Sequence, residues 1–100
     1  MASVVRKIRP GVTQRFVVKN LGWFFRKART TVIEKFDMWQ SNQGWEMFVD
    51  FAGGDVFETH FADITVFKHV MNRQRSLRGV VVNMHHEDGS ISHMTLRGSR

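Results

Sequence analysis

The chain has 100 residues, of which 42% are hydrophobic, and it carries 15 Lys/Arg against nine Asp/Glu for a net charge of +6. At this length we expect one domain around one hydrophobic core and no second domain. The absence of cysteine excludes disulfides and thiolate metal ligands.

Charge is sorted along the sequence. Residues 1–35 carry nine Lys/Arg and one Glu, residues 36–63 carry six acids and no Lys or Arg, and residues 64–100 return to a net +4. Such blocks predict a surface with a basic side and an acidic side. This arrangement favours nucleic acid, an acidic protein surface or another copy of the chain as the partner.

Hydropathy argues against a membrane partner. No apolar run approaches the roughly 18 to 20 residues that a membrane span requires. The basic amino terminus is not followed by the apolar region of a secretory signal. We therefore expect an intracellular protein, or one packaged within an assembly formed in a host cell.

The first residues predict an arm followed by a strand. Residues 1–11 are basic and end in the turn pair Pro10–Gly11. Residues 12–19 alternate, with Phe16 and Val18 on one face, as in a half-buried strand.

A short helix and a strand are expected next. Leu21, Phe24, Phe25 and Ala28 have helical spacing, and Asn20 is available as the N-cap. Residues 30–39 are rich in β-branched and aromatic side chains, which predicts a strand, and the polar residues 40–44 predict a loop after it.

Residues 45–61 predict a hairpin whose register follows from turn chemistry. A three-residue loop over residues 52–54 places Val49 opposite Phe57 and puts Gly54 at the left-handed third position. The alternative loop, residues 53–55, would set Asp50 opposite Glu58, and like charges directly opposed are unfavourable.

A second hairpin is predicted over residues 80–96. A loop of residues 87–89 gathers the apolar side chains on one face, whereas a two-residue Asp88–Gly89 turn would bury His93. The face formed by the first choice contains Val80, Val82, Met84, Met94 and Leu96.

Between the hairpins, Asp63 is predicted to cap a helix from Ile64 to Gln74 or Ser76. Gly79 is its expected stop. The predicted apolar stripe contains Val66, Phe67, Val70 and Met71.

The elements together predict an α+β fold, with a small, mainly antiparallel sheet or a partly open barrel, one covering helix and one short N-terminal helix. The order resembles that of an OB-type barrel, and an SH3-like barrel is left open. Residues 1–11 form the basic arm, residues 12–97 the single domain and residues 98–100 a short basic tail.

The basic residues of the first block are the candidate nucleic-acid contacts. On the predicted helix, Arg26, Lys27 and Arg29 lie away from the apolar stripe, where clustered cations could displace counterions from a phosphate backbone. Trp23 lies beside them and could stack on a base, although a Trp in such a position is more often part of the core. The candidate set is Arg6, Lys7, Arg9, Arg15, Lys19, Trp23, Arg26, Lys27 and Arg29.

The acidic block supplies a second candidate surface. Glu46, Asp50 and Glu58 share the polar face of the first hairpin and could contact a protein. A structural alternative is that the acidic hairpin pairs internally with the basic block. A later basic group lies late in the 64–76 helix, where cations interact favourably with the helix dipole. It contains Lys68, Arg73, Arg75 and Arg78.

No metal site, cofactor or catalytic activity is expected. The second hairpin's register makes His85 and His93 diagonal neighbours, and two imidazoles do not close a metal site. The sequence contains no nucleophile elbow and no phosphate-cradling glycine loop.

The sequence therefore predicts a non-enzymatic basic protein that binds nucleic-acid phosphates without strong sequence specificity. Two alternatives remain. One is a structural assembly protein, for example a small virion component that forms homo- or hetero-oligomers through complementary faces. The other is a small inhibitor or adaptor that binds one macromolecule.

Overall fold

A computed structural model describes residues 21–99 of the chain. These residues form two α-helices, one turn of 3₁₀ helix at Arg75–Leu77 and five strands. In chain order the elements are α1 (Leu21–Thr30), β1 (Ile33–Ser41), β2 (Gly44–Phe51), β3 (Val56–Phe61), α2 (Ile64–Asn72), β4 (Val81–His85) and β5 (Ile91–Thr95).

The strands form one open, mixed sheet in the order β3-β2-β1-β4-β5. Pairing is antiparallel except between β1 and β4, which run parallel through Met38 and Met84. The predicted α+β class with a mainly antiparallel sheet is therefore confirmed. Among residues 21–99 the sheet is open, with β3 and β5 as its outermost strands, and the partly open barrel and the OB-like or SH3-like orders are not confirmed.

Both predicted hairpin registers are confirmed. Val49 lies opposite Phe57, and the 52–54 loop is closed by the bond from Phe51 N to Asp55 O. In the second hairpin His85 lies opposite Ile91. The third loop positions are glycines with positive φ, +104° at Gly54 and +91° at Gly89, as this loop class requires.

Helix α2 begins where predicted and ends earlier. The Asp63 side chain accepts a 2.8 Å bond from Thr65 N, which satisfies a backbone donor of the first turn. The helix stops at Asn72, and the chain continues into the 3₁₀ turn. Phe67 and Met71 are buried, but Val66 is half exposed and does not belong to the apolar stripe.

The α1–β1 boundary lies later than the sequence suggests. Thr31 N still bonds to Lys27 O at 2.9 Å, so the helix extends through Thr30 despite its β-branched side chain. At the other end, β1 and β2 stay paired up to Ser41 and Gly44. The expected polar loop is therefore only a two-residue turn.

The core lies between one face of the sheet and the helices. Phe36 on β1 contacts both helices, with ring centroids 6.2 Å from Phe24 of α1 and 6.0 Å from Phe67 of α2. Phe24 also stacks on Phe57 at 4.9 Å. We call this helix-covered side of the sheet the inner face and the opposite side the outer face.

The predicted arm, the 12–19 strand and Arg100 lie outside the described residues.

Neither helix within residues 21–99 is both long enough and apolar enough to span a membrane.

Candidate nucleic-acid interface

Helix α1 divides its three cations between two environments. Arg26 and Arg29 are exposed, and their spacing of three places them on the same side of the helix. Lys27 is only partly exposed, and its Nζ forms an ion pair with Asp55 in the β2–β3 loop. The expected three-residue cluster is therefore an exposed arginine pair beside an internally paired lysine.

Trp23 is held by the edge of the core. Its ring stacks on Phe57 at 5.9 Å and meets Phe51 edge-on at 6.1 Å. Because the core residues occupy much of its surface, the ring anchors α1 to the sheet. A base could reach only the part that remains exposed.

The second basic group lies beside the first. Helix α1 packs against the 3₁₀ turn, which carries Arg75 and is capped by Arg78, and both side chains are exposed. Because both helices cover the same face of the sheet, the tertiary structure gathers two basic segments that are far apart in the sequence. We call α1, residues 64–78 and residues 97–99 the helical layer.

Residues 97–99 are bonded to the end of α2. Arg97 N donates to Asn72 Oδ1 at 2.7 Å, and Ser99 N donates to Asn72 O at 2.8 Å. Gly98 packs so closely that a Cβ there would overlap the Cα and Cβ of Arg78. These contacts place Arg97 next to the 3₁₀ turn.

An open depression of about 590 Å³ lies at the end of α2. Its lining residues are His69, Val70, Arg73 and Gln74. Arg73 Nη1 lies 3.3 Å from His69 Nε2, which can accept this bond only as neutral imidazole. The Arg73 guanidinium and the Gln74 side-chain amide are the groups in this depression that can donate hydrogen bonds to an anion.

The described residues are electrically neutral as a whole. They hold nine Lys/Arg and all nine acids of the chain, so the excess of +6 comes from residues 1–20 and Arg100. Only Lys35 among these nine cations lies on a strand. The remaining eight belong to the helical layer: Arg26, Lys27, Arg29, Lys68, Arg73, Arg75, Arg78 and Arg97.

Acids concentrate on the outer face of β1–β3. The predicted acidic residues Glu46, Asp50 and Glu58 lie there together, and Glu46 Oε2 accepts a 2.9 Å bond from His60 Nδ1. Glu58 is 2% exposed, which makes it a buried group of the fold, whereas an open protein-docking site would leave its carboxylate accessible.

Asp37 is a further acid of this face that the sequence analysis did not include. It is 1% exposed, and its Oδ1 accepts bonds from Asn83 Nδ2 at 3.0 Å and from His85 Nε2 at 3.2 Å. The alternation of Phe36 and Met38 around it indicated that Asp37 points away from the core. The parallel β1–β4 pairing that brings its partners close was not visible in the sequence.

Four of the five histidines, His60, His69, His85 and His86, lie within hydrogen-bonding distance of another side chain. His85 stacks on Trp39 with ring centroids 3.8 Å apart, and His86 Nε2 lies 2.7 Å from Ser92 Oγ. Among residues 21–99, no three His, Cys, Asp or Glu side chains are grouped so that they could hold a metal ion.

The candidate residues Arg6, Lys7, Arg9, Arg15 and Lys19 lie outside the described residues.

No protein-family model matches the chain, no curated protein matches it and no solved structure matches it. The functional argument therefore depends on the geometry and charge of the chain itself.

Proposed function

We propose that the protein is a non-enzymatic nucleic-acid-associated protein whose helical layer contacts phosphates without strong sequence specificity. One observation carries this proposal. The described residues have no net charge, yet eight of their nine cations belong to the helical layer. Charge segregation of this kind produces a local positive potential that attracts a polyanion.

The chemistry of the exposed arginines fits phosphate. A guanidinium presents a planar set of donors that matches phosphate oxygens, and Arg26, Arg29 and Arg75 are all exposed. Reading of bases needs side chains carried into a groove by a protruding helix or ribbon. Both helices lie flat on the sheet through Phe24 and Phe67, so the supported mode is contact with the phosphate backbone.

The test is a titration of the full chain with fluorescent single-stranded and duplex oligonucleotides of unrelated sequence, at several salt concentrations. We expect binding that weakens with salt and differs little between sequences. Each lost phosphate contact lowers the slope of log affinity against log salt by about 0.7 for single strands and about 0.9 for duplexes. The double variant Arg26→Gln/Arg29→Gln should therefore lower the duplex slope by about 1.8.

Lys35→Gln is the control. Lys35 is exposed but lies on β1, outside the helical layer, so its replacement should leave the slope nearly unchanged. The absence of binding at low salt would contradict the proposal. So would an equal effect of the double variant and the control.

Assembly is the second candidate, and the sheet edge favours it. Within the part of the chain that the structure describes, β5 is the outermost strand on one side of the sheet, and Ile91 and Val81 on β5 and β4 are large exposed apolar residues. Exposed strand edges pair readily with other chains. Light scattering that shows an oligomer, together with no oligonucleotide binding, would favour assembly over phosphate contact.

A further inference from the structure

Three exposed arginines of the helical layer have no carboxylate partner among residues 21–99. They are Arg75, Arg78 and Arg97. Lys27, by contrast, pairs with Asp55. No Asp or Glu occurs in residues 64–86 or 89–99, which contain the three arginines. Their positive charge is therefore not compensated locally, and an anion bound there would relieve the repulsion between them.

The 3₁₀ turn brings the first two arginines to one side. Arg78 N donates to Arg75 O at 3.1 Å, which closes the turn Arg75–Leu77 with Arg78 as its C-cap. Side chains three residues apart lie on the same side of a 3₁₀ helix, because it has three residues per turn. Arg75 and Arg78 are therefore neighbours at the surface, where both are exposed.

The segment 97–99 adds the third arginine because it runs beside this turn. Arg78 Nη2 donates to Gly98 O at 3.4 Å. Gly98 has a φ of +59°, and a Cβ at this position would lie 2.6 Å from Arg78 Cα. Since neighbouring Cα atoms along a chain are about 3.8 Å apart, Arg97 is a single residue step from this contact with Arg78.

Asn72, at the end of α2, fixes the backbone of Arg97. Its Oδ1 accepts a 2.7 Å bond from Arg97 N, and its carbonyl accepts bonds from Ser99 N at 2.8 Å and from Ser99 Oγ at 3.1 Å. Irregular segments are ordinarily more mobile than helices and strands unless bonds of this kind hold them. An arginine whose backbone is held before binding loses less conformational entropy when a ligand binds.

We propose that Arg75, Arg78 and Arg97 form one phosphate-binding site, and that Asn72 is the positioning residue of this site. A planar guanidinium can donate two parallel hydrogen bonds to phosphate oxygens, so the three arginines supply both the charge and the donors that a phosphate group needs. Nucleic acid as the source of the phosphate rests on the proposed function. The site itself depends only on the bonds among residues 72–78 and 97–99.

The salt dependence of duplex binding by the full chain tests the site. Arg97→Gln removes one phosphate contact and should lower the slope of log affinity against log salt by about 0.9. Asn72→Ala and Gly98→Ala keep every charge but release or displace Arg97, so each should cause most of the same reduction. The matched control is Asn83→Ala, which removes an asparagine bonded to Asp37 on the sheet and should leave the slope unchanged.

A double-mutant cycle separates positioning from a general loss of structure. In the Arg97→Gln background, Asn72→Ala should cause no further reduction of the slope, because the contact that it positions is already gone. Circular dichroism checks that each variant is folded. Additive reductions would overturn the positioning role of Asn72. Slopes equal to that of the parent in both Asn72→Ala and Gly98→Ala would overturn it as well.

A titration of the isotope-labelled full chain with inorganic pyrophosphate tests the site without nucleic acid. We expect the amide NMR signal of Arg78 to shift until the site is saturated, and to shift much less in Arg97→Gln. The signal of Arg29 on α1 is the reference for a general ionic effect. Equal shifts at Arg29 and Arg78, or a shift of Arg78 that Arg97→Gln does not reduce, would overturn the proposed site.

The two titrations distinguish the site from the proposed function. Saturable pyrophosphate shifts in a chain that binds no oligonucleotide would retain the site for free phosphates and overturn the nucleic-acid function. Oligonucleotide binding whose salt slope is the same in the parent and in Arg97→Gln would retain the function and overturn the site.

Discussion

The two faces of the sheet are buried by different kinds of contact. The inner face is apolar, with Phe57 stacked on Phe24 of α1 at 4.9 Å. The outer face of β1–β3 places the equally buried Phe48 between the carboxylates of Asp37 and Glu58. Dispersion and the hydrophobic effect stabilise the first face, whereas the second also depends on compensation of charge. Burial alone therefore does not identify a hydrophobic core.

The largest expected effect tests whether the two faces are equally well packed. We expect Phe57→Ala and Phe48→Ala each to lower the free energy of unfolding by about 3 to 5 kcal/mol, since both remove a fully buried ring. Urea denaturation gives both values. Ile91→Ala is the exposed control, with an expected change of about 0.5 kcal/mol. A Phe48→Ala loss as small as that of the control would show that the outer face is not packed in solution.

The next effect isolates the polar contacts of the outer face. Asp37→Ala leaves the donors Asn83 Nδ2 and His85 Nε2 without their acceptor. We expect a loss of about 1 kcal/mol in the free energy of unfolding, at the low end of the cost of unsatisfied donors, because both donors are only partly buried. Asp37→Asn keeps an acceptor oxygen and should lose less. Equal losses would mean that the negative charge matters more than the acceptor.

A comparable effect concerns the helical side. Asp63→Ala removes the 2.8 Å cap on Thr65 N and should cost about 1 kcal/mol. Thermal unfolding followed by circular dichroism measures the loss, and Asp63→Ser, which can cap in the same way, should restore most of it. If the serine variant is no more stable than the alanine variant, the side-chain bond does not stabilise α2.

The smallest effect belongs to the open β4–β5 half. The hydroxyl and the backbone N–H of Ser90 both donate to the Asp88 carboxylate. These bonds, the hydroxyl bond most strongly, hold the pKa of Asp88 below its ordinary value. A lowered pKa in the folded state means that the contribution to stability is present above the unfolded pKa and is lost as the pH falls through the folded pKa.

Ser90→Ala should therefore raise the pKa of Asp88 toward its ordinary value, which a carboxyl NMR titration measures. The urea midpoint at neutral pH should change little, because Asp88 is exposed. An unchanged titration curve would show that the hydroxyl does not bind the carboxylate in solution.

Turn chemistry made both hairpins predictable. Gly54 and Gly89 each fit one loop position, and the alternation of apolar residues in the flanking strands agreed with the same register. The Asp63 cap was predictable because a capping residue acts within its own first turn. The end of α2 at Asn72 was not predictable, since its bonds come from Arg97 and Ser99 near the other end of the chain.

For the candidate interface, the sequence located the cations but not their environments. The helical spacing placed Arg26 and Arg29 on a solvent-facing side, where they lie. It did not reveal that Lys27 pairs with Asp55 or that Trp23 packs on Phe57. Both contacts depend on where the β2–β3 hairpin meets α1, which is a consequence of packing.

By itself, the sequence determined the elements whose causes are local: the two glycine-closed loops, the capped start of α2 and the helical spacing of α1. The tertiary structure alone decided the parallel pairing of β1 with β4, the gathering of two basic segments in one layer and the burial of Asp37. These features join residues as far apart as 37 and 83. The free energy of such contacts depends on the packing of the whole sheet, which the pattern of any single segment does not contain.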